Sequence, residues 1–341
     1  MKGPPNMGSD PFGFLYQGVM SLRNWSYDSG ICLSHKLSVP VVSVGNLTAG
    51  GTGKTPIVAD LVTWSQQLKI PVGVISRGYK GCYKGVQRVS SDVHAIPIWG
   101  DEPTMLARRF PDVPVFVHPD RVLAGETLLA QTPVRWILAD DAFQHRRLYR
   151  QMDIVVCDLS APLWHLNSLP KGRARERLSS LERANFVVLN KRNLGSEENY
   201  LAWRQAIEKW VSTDRMIEVN YSLVETRSVA EGIPLEKGEA VWLVSGIGNP
   251  SSFESLVKQA GYSMRGHSIF KDHHVYSQPD VRNILSDLKK AQVNKVLTTS
   301  KDLTKLIGHS DLTGFLFEAK LGLLWGDGRD KLDAEILCLV S

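Results

Sequence analysis

An α/β fold is what this sequence predicts: a parallel sheet with helices on both faces, plus a smaller second α/β domain joined by two extended linker segments. Three observations predict it. Short apolar runs alternate with helical stretches through the first part of the chain. A glycine-rich turn closed by Lys-Thr follows the first such run. A second strand, glycine turn and helix recur further on, at Ala240 to Ala260. Continuous apolar runs are the mark of parallel strands covered on both faces. In such sheets ligands collect at the carboxyl ends of strands.

The first strand is expected at residues 39–44 and its helix at 55–68. Further strands are expected at 72–76, 113–117, 134–139, 154–157 and 186–189, each ending near polar or glycine residues. In the second domain the reading gives a strand at 240–244, helices near 253–260 and 280–291, and a strand at 295–299. Two extended segments flank that unit. The expected boundaries are 1–215 for the core with an amphipathic N-terminal helix, 216–227 and 313–326 for the linkers, 228–312 for the smaller domain and 327–341 for a C-terminal tail.

Between strand and helix the chain reads Gly45-Asn46-Leu47-Thr48-Ala49-Gly50-Gly51-Thr52-Gly53-Lys54-Thr55. Glycines let successive N–H groups curl around phosphate oxygens, a helix start adds a positive dipole, and Lys54 reaches the outer phosphates. Thr48, Ala49, Gly50, Gly51, Thr52, Gly53, Lys54 and Thr55 are therefore the expected nucleotide contacts, which makes the fold of the P-loop NTPase type. The strict pattern has glycine at 48, and Gly50 with Gly51 supplies the flexibility instead. A plain strand-to-helix turn needs neither the lysine nor the threonine. The run Trp136-Ile137-Leu138-Ala139 ends in Asp140-Asp141, where phosphate-loop proteins keep a carboxylate for Mg²⁺ beside the helix-opening hydroxyl, here Thr55.

Other groups are open to two readings. Gly100-Asp101-Glu102-Pro103 precedes a helix expected at 104–110, so Asp101 either caps that helix or serves chemistry. Lys271-Asp272-His273-His274 suits metal binding, proton transfer or an ordinary surface, and no further His/Cys cluster has ligand spacing. Arg77 and Tyr79 follow a strand, and His145 with Arg146 and Arg147 follows the acid pair; arginine suits phosphate recognition, and a charged loop rim is the alternative. Asn190-Lys191-Arg192-Asn193 resembles the guanine-reading N-K-x-D of GTPases but lacks its final carboxylate.

With 341 residues, 43% apolar, the chain has enough for two cores. Four scattered cysteines form no C-x-x-C pair, which argues against a zinc site or a disulfide framework. A net charge of +5 permits an anionic substrate or membrane surface, and no nucleic-acid motif is present. No apolar run approaches a membrane span, and Met1 to Pro11 reads as neither signal peptide nor anchor. Phe12, Leu15, Val19 and Leu22 fall near helical spacing, for a helix that packs on the protein or lies in a lipid interface.

From about Leu15 to Leu306 these pieces resemble, in order, the tetraacyldisaccharide 4′-kinase family of lipid A biosynthesis. They include Leu22-Arg23-Asn24, the phosphate loop, Ile75-Ser76-Arg77-Gly78-Tyr79, Gly100-Asp101-Glu102-Pro103 and His118-Pro119-Asp120-Arg121. They continue with Asp140-Asp141-Ala142-Phe143-Gln144-His145, Leu169-Pro170 through Arg175-Glu176, Ser245-Gly246-Ile247-Gly248-Asn249-Pro250, Asp272-His273-His274 and Thr299-Ser300-Lys301-Asp302. The chain departs from the family pattern at Ala142, at residues 171–177 and at Ser300.

The resemblance implies transfer of the γ-phosphate of ATP, with Mg²⁺, to the 4′-hydroxyl of tetraacyldisaccharide 1-phosphate. Asp101 would be the base, with His273 brought across from the second domain by closure to orient or relieve it. Thr55, Asp140 and Asp141 would hold the metal. Arg77, Tyr79, Glu102, Arg121, His145, Arg175 and Glu176 would contact the substrate. The partners implied are a lipid-sugar in the membrane and an anionic bilayer surface, with no nucleic acid and no obligate protein partner. The implied place is the cytoplasmic face of the inner membrane, peripheral and without a span. A kinase for a soluble metabolite, a GTP switch and a non-catalytic nucleotide-binding module are the rivals.

Overall fold

The computed structural model describes residues 11–79, 81–92 and 96–341, so the reading of the first ten residues lies outside the described ones. In chain order the elements begin α1 (Pro11–Asp28), β1 (Val41–Gly45), α2 (Lys54–Gln67), β2 (Val72–Ser76), β3 (Gln87–Arg88), α3 (Ile96–Trp99), α4 (Asp101–Arg109), β4 (Val115–Val117) and α5 (Arg121–Gln131). They continue β5 (Trp136–Asp140), β6 (Met152–Asp158), β7 (Phe186–Asn190), α6 (Glu197–Ile207), β8 (Met216–Ser228), β9 (Ala240–Ser245) and α7 (Pro250–Gln259). Last come β10 (Ser263–Ile269), α8 (Gln278–Ala291), β11 (Val296–Thr299), α9 (Ser300–Leu306), α10 (Ser310–Thr313), β12 (Leu316–Trp325) and α11 (Arg329–Val340).

The chain divides into two compact units. The first takes in residues up to 77, 113–220 and 325–341; the second takes in 78–112 and 221–324. This differs from the expected boundaries in two places. Residues 78–112, read as part of the core, belong with the second unit. The tail folds as α11, which buries Leu332, Ile336 and Val340 in the first unit and ties Arg329 to Asp60 there. Both extended segments are sheet strands, β8 and β12.

In the first unit the strands run β7-β6-β1-β5-β2-β4, with Met216–Asn220 of β8 beside β7. Every one of these pairings is parallel. Apolar runs made this sheet because both faces are covered: Trp136, Ile137 and Leu138 are fully buried, each worth roughly 1.5–3 kcal/mol relative to exposure. The buried indole N–H of Trp136 donates to Ser65 Oγ of α2 at 3.0 Å, so no polar atom is stranded there. A second packed face gathers Leu47, Phe143, Val155, Leu181 and Trp203.

The second unit orders its strands β10-β9-β11-β12, with the later part of β8 beside β12. Side-chain caps start three of its helices: Asn249 for α7, Ser277 with Asp280 for α8, and Thr299 for α9. The helices that open on Lys54 and Asp101 begin differently. α2 starts after Gly53 (φ 87°) and α4 after Gly100 (φ 89°), and neither has a side-chain cap. Their first N–H groups are left for other partners.

Candidate active site

β1 and β5 are neighbours in register, Val44 opposite Asp140, so the phosphate loop and the acid pair leave the sheet at the same end. Gly45 permits this closeness: a Cβ there would lie 2.5 Å from Cβ of Phe143. Gly50 (φ 114°) and Gly53 turn the loop through the left-handed region that side chains disfavour. A loop that aims its N–H groups inward turns carbonyls outward, and those need donors. Asn190 Nδ2 donates to the Thr52 carbonyl at 2.8 Å, and Lys191 Nζ lies 3.3 Å from the Gly51 carbonyl and 2.5 Å from Asp158 Oδ2. The Asn-Lys pair that resembled a guanine reader thus braces the loop. Asn46 Nδ2 donates to Thr52 Oγ1 at 2.7 Å, and Gln144 Nε2 to the Asn46 carbonyl at 2.8 Å.

The segment 173–175 runs along the loop, with Ala49 N donating to Arg173 O at 2.7 Å and Arg175 N to Leu47 O at 2.7 Å. That pairing delivers Arg175 to Asp141. Its guanidinium donates to both carboxylate oxygens at 3.1 and 2.8 Å and also to Asn46 Oδ1. Lys54 Nζ lies 3.4 Å from Asp141 Oδ1. Burial alone would raise the Asp141 pKa; Lys54, Arg175 and Arg121 outweigh it and hold the carboxyl well below the usual carboxylate range. Asp140 is buried and accepts from Ser76 Oγ at 3.2 Å. Thr55, also buried, is the second residue of α2. A hydroxyl and two carboxylates form a hard oxygen donor set, which fits Mg²⁺.

In the second unit Asp101 is the first residue of α4, and Gly100 holds the cap position, so the capping reading of Asp101 does not apply. Its Oδ2 lies 3.0 Å from His273 Nδ1 and 2.6 Å from Lys305 Nζ. Burial would raise this pKa as well, but hydrogen bonds from His273 and Lys305 bring it down to about 2. A depressed native pKa stabilises the fold above the unfolded value near 4, and the contribution is lost as pH falls from about 4 towards 2. Asp101 and His273 belong to the same unit. Closure is therefore not what brings them together, contrary to the expectation that split them between domains.

The remaining candidates separate by surroundings. Tyr79 is 59% exposed, and its ring meets that of His273 edge-on at 5.9 Å. Glu102 follows Asp101 on α4, whereas Arg77 is an exposed residue of the first unit. Arg121, expected to meet substrate, is 4% exposed, and its guanidinium donates to the carbonyls of Pro119 and Asp141. Glu176 is 1% exposed and accepts from Asn24 of α1 at 2.7 Å and Arg183 at 2.8 Å. Gln17, Asn24, Glu176 and Arg183 line a cavity of about 250 Å³. His145, half-buried near Arg121, has its pKa lowered to about 4 by burial first and by Arg121 next, so it is neutral at pH 7.

Sequence reasoning passed over Lys305, Asn46 and the bracing role of Asn190 and Lys191. The signal for Lys305 was its place four residues after Lys301, on one face of α9.

A parallel sheet with a glycine loop, an open helix start and a Lys-Asp-Arg cluster at its carboxyl end defines a nucleotide-binding protein of the phosphate-loop class. The model of the tetraacyldisaccharide-1-P 4′-kinase family matches residues 9–333, and the chain belongs to that family. Tetraacyldisaccharide 4′-kinase of Bdellovibrio bacteriovorus is 36% identical, with 91% of this chain and 92% of the relative aligned. That of Chlorobaculum parvum is 33% identical, over 97% and 94%. The solved structure of LpxK from Aquifex aeolicus in complex with ATP superimposes with a TM-score of 0.74 at 28% identity, covering 97% of this chain and 98% of that one.

Proposed function

We propose that this protein transfers the γ-phosphoryl group of ATP to the 4′-hydroxyl of a tetraacylated glucosamine disaccharide 1-phosphate, giving ADP and lipid IV-A. The observation that carries the reading is the Lys54–Asp141–Arg175 cluster at the mouth of the phosphate loop, in a chain of this family. The loop at residues 48–53 binds the phosphates together with Lys54, through N–H groups other than those of Ala49 and Thr52, which donate to protein carbonyls. Thr55, Asp140 and Asp141 would hold Mg²⁺, which when bound neutralises charge on the β- and γ-phosphates. Asp101 accepts the hydroxyl proton, with His273 beside it. Arg77, Tyr79, Glu102 and Arg175 are the substrate contacts we favour; Arg121, His145 and Glu176 act from behind them through the protein hydrogen bonds and charges already described. The test is transfer of labelled γ-phosphate to the tetraacyldisaccharide 1-phosphate in mixed micelles. No transfer despite ATP binding would favour a soluble-metabolite kinase instead.

The protein works, on this reading, at the cytoplasmic face of the inner membrane. α1 supports it: Phe12, Phe14, Leu15, Val19, Leu22 and Trp25 are all more than half exposed, so the apolar side of the helix is not packed on the protein. No described helix is long and apolar enough to cross a membrane. An exposed apolar stripe of this kind suits a lipid interface. Anionic liposomes should float the full chain and lose most of that binding when residues before Asp28 are removed; unchanged flotation would refute the anchor.

A further inference from the structure

Asp101 has two oxygens, and the structure treats them differently. Oδ2 faces both donor neighbours, His273 Nδ1 at 3.0 Å and Lys305 Nζ at 2.6 Å. Lys305 comes from α9, and with its side chain 5% exposed its ammonium has exchanged water for that carboxylate. His273 is itself held in place: its backbone sits at φ 64° and its N–H donates to Gly246 O at 3.2 Å. The other ring nitrogen, Nε2, lies 3.3 Å from Lys301 Nζ, and Lys301 also donates to Asp272 Oδ1 at 2.9 Å. Asp272 Oδ2 is 3.8 Å from Nε2, too far to accept a hydrogen bond from it. An ammonium only donates, so the nitrogen facing Lys301 presents its lone pair and the ring hydrogen sits on Nδ1, towards Asp101.

We propose that Lys305 and Lys301 are positioning residues for phosphoryl transfer: Lys305 shares Oδ2 with His273 and reserves Oδ1 of Asp101 for the acceptor hydroxyl, while Lys301 keeps His273 in its neutral Nδ1–H form. The proposal rests on the reading of Asp101 as base and adds the atom that acts. In the step, the O–H bond of the 4′-hydroxyl breaks and its proton passes to Oδ1. The hydroxyl oxygen bonds to the γ-phosphorus, and the bond from that phosphorus to the bridging oxygen breaks, with the electron pair leaving on ADP. His273 takes no proton, because Nδ1 already carries one and Nε2 faces an ammonium. Asp101, a weak base, releases the proton to water after transfer. The charged and titratable groups around it are Glu102 on α4, Lys301 and Lys305 on α9, and Asp272, His273 and Tyr276 on the loop after β10.

The experiment is the kcat–pH profile of micellar phosphate transfer over about pH 4 to 9 for the full chain and for D101A, K305M, K305R and K301M. K305M should lower kcat about 10- to 100-fold at unchanged KM for ATP and bring an acid limb into the range above about pH 4, because the carboxylate loses its ammonium. K305R keeps the charge and should return both. K301M should lower kcat several-fold at unchanged KM for ATP and let the His273 ring sample both tautomers. A readout that needs no variant is ¹⁵N-histidine NMR of the full chain, where His273 should show the Nδ1–H tautomer. Parent-like profiles for K305M and K301M, or an Nε2–H tautomer, overturn the proposal. Transfer that survives D101A overturns the base reading beneath it, and loss in D101A with parent-like lysine variants defeats the proposal alone.

Discussion

Asp101→Ala lowers kcat for transfer by about 10²–10⁴-fold while the KM for ATP stays near the parent value. The size follows from what a positioned base contributes to proton removal in a transition state. The split follows from composition of the site: ATP is expected on the loop at 48–55, and Asp101 is not one of the residues of that loop. The variant also leaves Lys305 as a buried ammonium without its carboxylate, since Oδ2 is 2.6 Å away in the parent. Removing one partner of a buried pair costs roughly 3–5 kcal/mol, so the melting temperature should fall as well. Asp101→Asn separates the two effects. It keeps an acceptor oxygen for Lys305 and should recover part of the stability without recovering turnover. A D101N enzyme that turns over at the parent rate would show that Asp101 is structural.

Asp141→Ala is expected to have the second-largest effect, a loss of about 10²–10³-fold in kcat, comparable to removal of a preorganised charge from a transition-state site. Its effect on ATP should be opposite in sign. In the parent, the Asp141 carboxylate lies between Lys54 and the two-pronged Arg175. Without it, two adjacent cations face the loop unneutralised, and a polyphosphate is the ligand that relieves them. Magnesium-free ATP should therefore bind the variant at least as tightly as the parent, while stimulation of turnover by Mg²⁺ is lost. Titration calorimetry with ATP alone and with ATP plus Mg²⁺ measures both. Weaker binding of metal-free ATP would mean that Asp141 holds the loop in shape rather than opposing the phosphates.

Much of the first unit was legible because its strands are buried on both faces and speak in continuous apolar runs. β1, β2, β5, β6 and β7 fall where those runs lie, and the loop with its acid pair could be placed at the sheet's carboxyl end before any coordinates. β10 was missed for the complementary reason. No residue of Ser263–Ile269 is buried, so no apolar periodicity marks it, and Gly266 interrupts what pattern there is. The membership of Asp101 was illegible on different grounds. Residues 78–112 leave the first unit after β2 and return before β4, and a short excursion carries no composition shift to announce it. Glu176 was read as a substrate contact from the family resemblance; its burial, with one oxygen held by both Asn24 and Arg183, comes from tertiary packing that no local pattern marks. The Asn-Lys pair was read for its resemblance to a base-recognition motif, and only the carbonyl positions of Gly51 and Thr52 reveal its mechanical use.

The way α1 is fastened has a practical consequence. Of its eighteen residues only Gly13 and Gln17 are buried, and its ties are polar: Tyr16 to the Arg175 carbonyl, Asn24 to Glu176, Arg23 to the Gln144 carbonyl and Asp28 to Arg146. Beneath it lies a pocket with polar walls, roomy enough for water. Lifting such a helix away exposes little oil, so it is attached like a detachable foot rather than a structural beam. A shortened chain beginning after Asp28 should keep its folded core and dissolve more readily, and the full chain should be the one that clings to detergent during purification.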